Sequence, residues 1–250
     1  MRVHVVSAAN RQLYLDEIEA MHRQRYQLFV EERGWRALES SDRLDIDEFD
    51  NENATYLIAL DGAGAVAGSA RLIPSWRPNM LKDLYPEYCA RDVPVGPGVW
   101  EWSRHATPGK HAPRSLALRT QLLLNLAVLE FGLSRGVERV YGVLETELMP
   151  WTAHLGWQSQ VLGPPRAYGE GYAVASISPV TQEHLQSLRS VADFDGAVLI
   201  EVPGFSGARG RLSRRWLEAA SCLPEAELSA WLGAEGQPGS PSLPRQGIAR

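Results

Sequence analysis

The chain is poor in cysteine and has no long apolar segment. Its 250 residues include only two cysteines, Cys89 and Cys222, which lie far apart, so neither a disulfide framework nor a thiolate metal site is expected. No apolar run reaches the roughly 20 residues that a membrane-spanning helix needs. The N-terminal apolar stretch is too short for a signal peptide. With 44% hydrophobic and 22% charged residues, the composition is that of a globular protein, which we expect in the cytoplasm.

Missing charge patterns and motifs exclude further function classes. The net charge is −5, from 25 basic and 30 acidic residues, which argues against a general nucleic-acid binder. The six histidines show no metal-ligand spacing. The sequence has no phosphate-binding Gly-Lys-Ser/Thr loop, no Gly-x-Gly-x-x-Gly turn and no Gly-x-Ser-x-Gly elbow. We therefore expect no metal, no permanently bound cofactor, and neither nucleic acid nor membrane as a partner.

Helix and strand patterns alternate along most of the chain. A long amphipathic helix is predicted after Asn10, its expected N-cap. Strand patterns follow at 55–60, 65–74, 99–104, 140–144 and 172–177, and helix patterns at 113–134 and 181–188. This order predicts one α/β sandwich, a mixed β-sheet with helices on both faces. We assign residues 1–195 to this domain, 196–235 to a C-terminal extension with short helices at 212–220 and 225–231, and 236–250 to a disordered tail.

Charged side chains occur at or beside positions that the first helix should bury. Arg25 lies on the apolar stripe of this helix, four residues before Phe29, and Trp35 follows the helix. A buried charge is costly unless it is paired, so Arg25 needs an anionic partner. The acidic segment with Asp47 and Asp50 offers such a partner. It is also a candidate cation site, although the glycine and terminal glutamate of an EF-hand loop are missing.

Two predicted strands carry further polar groups. Arg71 lies inside a strand whose pattern is otherwise that of a buried strand. The next strand contains Glu101, Ser103 and Arg104. Strict alternation places Glu101 and Ser103 on one face and Arg104 on the other, whereas a β-bulge would bring them together. Burial would raise the pKa of Glu101, and a nearby arginine would lower it.

Taken in order, these motifs resemble the acyl-homoserine-lactone synthase (autoinducer synthase) family of bacterial quorum sensing, from the first helix to about residue 190. The matching motifs are Arg25-x-x-x-Phe29-x-x-x-x-x-Trp35, Asp47-x-x-Asp50 before Tyr56-Leu57, Arg71-Leu72 with Pro74 and Pro78-Asn79-Met80-Leu81, Glu101-x-Ser103-Arg104, and Leu155-Gly156-Trp157 before Leu162-Gly163-Pro164. The resemblance implies a fold akin to the N-acetyltransferases and two small-molecule substrates, S-adenosylmethionine and an acyl thioester. The methionine amine would attack the thioester, and the carboxylate would then displace the sulfonium, closing the lactone and releasing methylthioadenosine.

The resemblance also implies roles in binding S-adenosylmethionine. Asp47 and Asp50 would complement its cationic parts, directly or by ordering the arginines. Either Arg25 or Arg104 would bind its carboxylate through a forked pair. Arg71 would organise the acidic segment by ion pairing rather than touch the reacting carbon.

Aromatic and catalytic roles follow from the same resemblance. Phe29 and Trp35 would stack on the adenine or face the sulfonium. Glu101 is the candidate base, directly or through water, because the substrate ammonium must lose a proton before it attacks. Ser103 and Arg104 complete the catalytic group.

The acyl donor and acyl group are predicted from bulky residues. Trp102, Leu144 and Trp151 are the candidate lining of an apolar acyl pocket, which fits a short, branched or aromatic acyl group. Trp102 resembles the branch of the family that uses acyl-CoA, so acyl-CoA is favoured over an acyl-carrier protein. Gly142 stands where some family members carry a threonine associated with 3-oxo chains, so a 3-oxo acyl group is not expected. A carrier protein would need a basic patch, for which the candidates are Arg114, Arg119, Arg135 and Arg139. A homodimer is a further candidate assembly.

Two other functions stay open. A generic acetyl-CoA-dependent N-acetyltransferase would share the fold, but segment 105–114 lacks the usual pyrophosphate-binding glycine pattern. A non-catalytic S-adenosylmethionine-binding module is the second alternative. The joint presence of Glu101 with the arginines and aspartates argues against it.

Overall fold

The computed structural model describes residues 1–169 and 171–203, and the strands of this part form one mixed sheet. The strands are β1 (Arg2–Val6), β2 (Thr55–Leu60), β3 (Val66–Pro74), β4 (Val99–Ala106), β5 (Arg139–Glu145), β6 (Gln160–Val161), β7 (Arg166–Tyr168), β8 (Gly171–Pro179) and β9 (Leu199–Ile200). Their order is β6-β8-β5-β4-β3-β2-β1-β9, with β7 paired to β8. Among the described pairs, β4–β5 and β1–β9 are parallel and the others antiparallel.

Helices cover both faces of this sheet, which confirms the predicted α/β sandwich. They are α1 (Leu15–Tyr26), continued by a π-helix (Gln27–Glu32), α2 (Met80–Asp83), α3 (Arg114–Arg135), α4 (Met149–His154) and α5 (Gln182–Ala192). The α1 face has its own apolar core, which includes Met21 and Ile58. The opposite, α3 face buries Leu126 of α3 and Leu185 of α5 together.

Helix α3 is more apolar than the sequence prediction allowed for. By length and composition it is the one helix of the described residues that is long and apolar enough to cross a membrane. However, 67% of its most apolar window is buried inside the protein. Its hydropathy is therefore that of a core helix between the sheet and α5.

The N-terminal region differs from the prediction. The helix expected to begin after Asn10 begins at Leu15, after a short 3-10 helix. Strand β1 precedes it, and its five residues are too few for a clear periodic signal. The Asn10 side chain caps no helix. Its Nδ2 group donates to the carbonyl oxygens of Val5 and Val202, each at 2.9 Å, so it ties the first strand to the far end of the described chain.

The folded core continues past residue 195, where the sequence analysis placed the domain boundary. Val198, Ile200 and Val202 are all buried around strand β9. The Glu130 carboxylate of α3 accepts hydrogen bonds from the backbone N–H groups of Val198 and Leu199. Residues 198–202 therefore belong to the folded core, because they complete the sheet edge beside β1. The helices predicted at 212–220 and 225–231, and the tail at 236–250, lie outside the described residues.

We expect a chain that ends at residue 195 to be less stable than one that ends at 203. The shorter chain loses three buried apolar side chains, which corresponds to roughly 5 kcal/mol of unfolding free energy. Urea denaturation of the two truncated proteins measures the difference. Equal unfolding midpoints would show that 196–203 contribute nothing to the core.

Candidate active site

Three arginines and three aspartates meet in a buried cluster at the α1 face of the sheet. We call the six side chains the ion network: Arg25 from α1, Arg71 from β3, Arg104 from β4, and Asp45, Asp47 and Asp50 from the loop before β2. None of these side chains is more than 13% exposed. Since the formal charges sum to zero, the network holds three cations out of water without an excess charge.

Arg25 has the anionic partner that its place on an apolar stripe requires. Its Nε donates to Asp45 Oδ2 at 2.7 Å, and its two Nη atoms donate to the two oxygens of Asp50 at 2.9 and 3.0 Å. The hydroxyl of Tyr56 donates to the same Asp50 carboxylate at 3.0 Å. All three nitrogens of Arg25 are thus engaged inside the protein.

Arg71 is paired with the acidic loop, as predicted. Its Nη1 and Nη2 atoms donate to the two oxygens of Asp47 at 2.5 and 3.1 Å, and Nη1 lies 3.0 Å from Asp50 Oδ1. Its Nε donates to Ser103 Oγ at 3.2 Å on the neighbouring strand. Arg71 therefore fixes the acidic loop to two strands at once.

Arg104 reaches the network through a β-bulge, the case that the sequence analysis left open. The β3–β4 register shifts between Ser69 and Arg71, and Arg104 has a left-handed φ of 50°. Such a conformation costs a non-glycine residue about 1–2 kcal/mol. It turns the guanidinium to the α1 face, where Nε lies 3.0 Å from Asp45 and Nη2 lies 2.8 Å from Asp47.

The pKa values of Asp50 and Arg104 are both lowered, but for different reasons. Burial alone would raise the pKa of Asp50, but the charges of Arg25 and Arg71 outweigh it and hold that pKa below its ordinary value. The pKa of Arg104 is lowered, first by burial and then by repulsion from the other two arginines, despite the attraction of Asp45 and Asp47. At 6%, the Arg104 side chain is also the most exposed of the three arginines.

An aromatic pair borders the network. Phe29 and Trp35 stack with ring centroids 5.0 Å apart and planes within 6° of parallel. The Arg104 guanidinium lies 5.8 Å from the centroid of the Phe29 ring. Phe29 belongs to the π-helix that extends α1, a type of helical irregularity that is frequent at functional sites.

Glu101 is buried where β4 and β5 stop pairing. Its side chain accepts hydrogen bonds from the backbone N–H groups of Leu81, at 2.7 Å, and Met80, at 3.3 Å. Burial raises the pKa of Glu101, while these N–H groups, Arg71 and the Ser103 hydroxyl oppose the shift. The result is a carboxyl group that holds its proton more tightly than an exposed glutamate does.

The pairing of β4 with β5 ends at Glu101. It covers only Val99–Glu101 against 139–141, and we call the unpaired stretch that begins at Trp102 the β4–β5 gap. Trp102 and Trp151 pack against the core on the α3 face. Strand alternation from Val140 puts Leu144 on that face as well. The three predicted acyl-pocket residues therefore lie on the face opposite the ion network.

Gly142 is required by the geometry of the gap. A Cβ atom at this position would lie only 2.4 Å from the backbone oxygen of Trp102. A threonine here would therefore force β4 and β5 further apart.

The sequence analysis placed one member of the network in the acidic segment without selecting it as a site residue. Asp45 contacts both Arg25 and Arg104, although only Asp47 and Asp50 were selected from the acidic segment. The available signal was its place in the same segment. Nothing in the local pattern, however, shows which aspartate faces inward.

Comparisons with known proteins agree with this site. The model of the autoinducer synthase family matches residues 10–188. The chain is 35% identical over 187 residues to the isovaleryl-homoserine lactone synthase of Bradyrhizobium diazoefficiens, covering 74% of this chain and 83% of that protein. It is 32% identical over 163 residues to an acyl-homoserine-lactone synthase of Ralstonia nicotianae, covering 62% and 78%.

Solved structures give the same result. A CoA-dependent acyl-homoserine lactone synthase, BjaI, with SAM and isopentyl-CoA, superposes with a TM-score of 0.74 at 31% identity over 81% of this chain and 93% of that chain. The CoA-dependent synthase MesI gives a TM-score of 0.70 at 30% identity, covering 79% and 98%. The fold and the site thus define an acyltransferase. This chain belongs to the autoinducer synthase family.

We expect Asp50→Asn to lower the free energy of unfolding by about 3 kcal/mol at pH 7, because Arg25 stays buried with less countercharge. The folded-state pKa of Asp50 lies below its ordinary value of 3.8. Its contribution is therefore present above about pH 4 and is lost as the pH falls toward the folded-state pKa. Urea titrations of both proteins from pH 7 to pH 3 should show the stability difference shrinking in acid. A constant difference would contradict this, and Glu39→Gln, which removes an exposed ion pair with Arg36, is the control.

Proposed function

We propose that this chain is an N-acyl-homoserine lactone synthase that transfers an acyl group from acyl-CoA to the amine of S-adenosylmethionine, for quorum sensing. The observation that carries the proposal is the division of the site at the β4–β5 gap. A polar, charge-balanced surface with two stacked aromatic rings lies on one face, and tryptophans lie on the other. A zwitterionic sulfonium and an apolar acyl chain need these two environments, and their reacting atoms would meet in the gap.

The reaction has two bond-forming steps. The methionine amine attacks the thioester carbonyl carbon, the carbon–sulfur bond breaks, and the CoA thiolate leaves as the amide forms. The methionine carboxylate then attacks the carbon next to the sulfonium, and that carbon–sulfur bond breaks to give the lactone and neutral methylthioadenosine. Overall the ammonium loses two protons, one of which ends on the CoA thiol and one in solvent.

Glu101 is the proposed base. Each of its oxygens accepts one backbone N–H and keeps a lone pair, so it can take a proton directly or through one water. Its raised pKa brings it closer to working pH than an exposed glutamate, which improves proton transfer.

Arg104 is the proposed ligand of the substrate carboxylate. The three nitrogens of Arg25 bind carboxylates, whereas the Nη1 atom of Arg104 lies against the Met80 sulfur, at 3.5 Å, and the guanidinium adjoins Phe29. A bound carboxylate would relieve the repulsion between Arg104 and the other two arginines. Phe29 and Trp35 would face the adenine or the sulfonium. Asp47, Asp50 and Arg71 would hold Arg104 in place as parts of the ion network.

Acyl-CoA is proposed as the donor rather than an acyl-carrier protein. The candidate docking arginines do not form one patch, because Arg114 and Arg135 begin and end the 22-residue helix α3, about 30 Å apart. Arg119 is also engaged, donating to the carbonyl oxygen of Ala192 at 3.0 Å. The CoA-dependent relatives support the same choice. Carrier-protein and homodimer partners stay predictions.

The acyl group is proposed to be short and branched, or aromatic. Trp102, Leu144 and Trp151 offer a bulky apolar surface that leaves little length for a straight chain. We place the reaction in the cytoplasm, because both proposed substrates are intracellular metabolites.

Incubation with S-adenosylmethionine and a series of acyl-CoAs tests this function. We expect methylthioadenosine and an acyl-homoserine lactone with isovaleryl-CoA or cinnamoyl-CoA, detected by chromatography and mass spectrometry. N-acetylation of other amines without methylthioadenosine release would indicate a generic N-acetyltransferase. Binding of S-adenosylmethionine with no product from any donor would indicate a non-catalytic module.

We expect Glu101→Gln to lower kcat/KM for S-adenosylmethionine by about 10²–10⁴-fold, the usual loss when a general base is removed. The acidic limb of the wild-type pH profile should lie above the ordinary glutamate pKa of 4.5 and be missing from the variant. Thermal unfolding of the variant shows whether the fold survives, and Glu52→Gln, at an exposed position, is the control. Wild-type turnover by Glu101→Gln would remove this residue as the base.

A further inference from the structure

Glu145 connects three separate segments at the end of β5. Its Oε1 atom accepts hydrogen bonds from Arg33 Nη1 at 2.7 Å and from the Tyr168 hydroxyl at 2.5 Å. Arg33 follows the π-helix and Tyr168 ends β7, so the contacts span 112 and 23 residues of sequence. The Arg33 and Glu145 side chains are only 34% and 25% exposed. Contacts of this range fix the relative positions of the segments.

The two donors to Glu145 are also the neighbours of Trp35. The Tyr168 ring meets the Trp35 ring edge-on, with centroids 6.2 Å apart and planes at 90°. The Arg33 guanidinium lies 5.8 Å from the centroid of the same indole. The opposite side of Trp35 rests on Phe29. The position of Trp35 therefore depends on Phe29 within its own segment and on Glu145 across the gap.

A second contact attaches this segment to the other side of the gap. Glu32 accepts a hydrogen bond at 3.0 Å from the backbone N–H of Lys110, in the loop that follows β4. Residues 32–35 thus run from the end of β4 to the end of β5, beside the ion network. Contacts to both strands therefore hold the segment that carries Trp35 in place.

We propose that Glu145 and Tyr168 are positioning residues, which hold Trp35 over the S-adenosylmethionine side of the site. The inference rests on the proposed function and adds two residues that its motifs do not contain. Loss of the Glu145 charge would loosen Arg33 and Tyr168, the two side chains that contact Trp35 besides Phe29, so the aromatic pair would spend less time in the binding arrangement. The bound substrate would then have to supply the ordering.

The Tyr168 donor persists through the physiological pH range. Burial and the neighbouring Glu145 raise the pKa of the Tyr168 phenol above its ordinary value, so the hydroxyl keeps its proton. The effect of the contact should therefore not vary between pH 6 and pH 8.

The test compares Glu145→Gln, Tyr168→Phe and the double variant in the full chain. We expect each single variant to raise both the dissociation constant and KM for S-adenosylmethionine about fivefold, as for a partly exposed charge-assisted hydrogen bond. The KM for acyl-CoA and kcat at saturation should stay within about twofold. Because both residues act through one contact, the double variant should bind S-adenosylmethionine no more weakly than Glu145→Gln does. Glu39→Gln, which breaks an exposed ion pair in the segment just after Trp35, should change none of these values.

Three outcomes would overturn the proposal. The first is an unchanged affinity for S-adenosylmethionine. The second is an equal loss in every kinetic parameter with a lowered unfolding midpoint, which would indicate a merely structural role. The third is a wild-type chain that binds no S-adenosylmethionine. If Glu145→Gln does not fold, the affinity of Tyr168→Phe for S-adenosylmethionine tests the proposal in its place.

Calorimetric binding separates this proposal from the proposed function. A wild-type chain that binds S-adenosylmethionine but releases no methylthioadenosine contradicts the catalytic function. Fivefold weaker binding by Glu145→Gln would still support the positioning role in that case.

Discussion

The candidate site depends on the neutralisation of three buried guanidinium groups by three carboxylates. An unpaired charge at such a depth costs several kcal/mol, so Arg25, Arg71 and Arg104 are compatible with the fold only when the acidic loop covers them. Since the three arginines come from α1, β3 and β4, their pairing joins these elements to the loop. The requirement to bury charge therefore builds the polar half of the site, including the left-handed turn that brings Arg104 into it.

The end of the pairing between β4 and β5 supplies the other half. Where the strands pair, the Glu101 side chain is buried and accepts hydrogen bonds from backbone N–H groups of α2. Beyond that point the two strands are unpaired, with a charged face on one side of the sheet and an apolar face on the other. In the proposed reaction each face binds one substrate, and the reacting atoms meet between the two strands. Gly142 permits the close approach of the strands there, because a side chain at this position would meet the backbone of Trp102.

The sequence predicted those features that depend on residue periodicity and on the cost of burying a charge. The alternation of long helices and strands gave the sandwich, and the position of Arg25 on an apolar stripe required an acidic partner. The partner choice of each aspartate was not predictable, because the double contact of Asp45 depends on the path of the loop in space. Strands β1 and β9 were missed since such short segments form by pairing rather than by periodicity. Glu145 and Tyr168 were missed because their contacts are long-range.

The most direct test of the account is a crystal structure of the full chain with S-adenosylmethionine and an unreactive acyl-CoA analogue. The account predicts the adenosine and sulfonium beside Phe29 and Trp35, with the substrate carboxylate bound to Arg104. The acyl group should lie on the α3 face against Trp102, with the carbonyl carbon in the β4–β5 gap near Glu101. Both substrates on one face of the sheet, or S-adenosylmethionine bound away from the ion network, would contradict it.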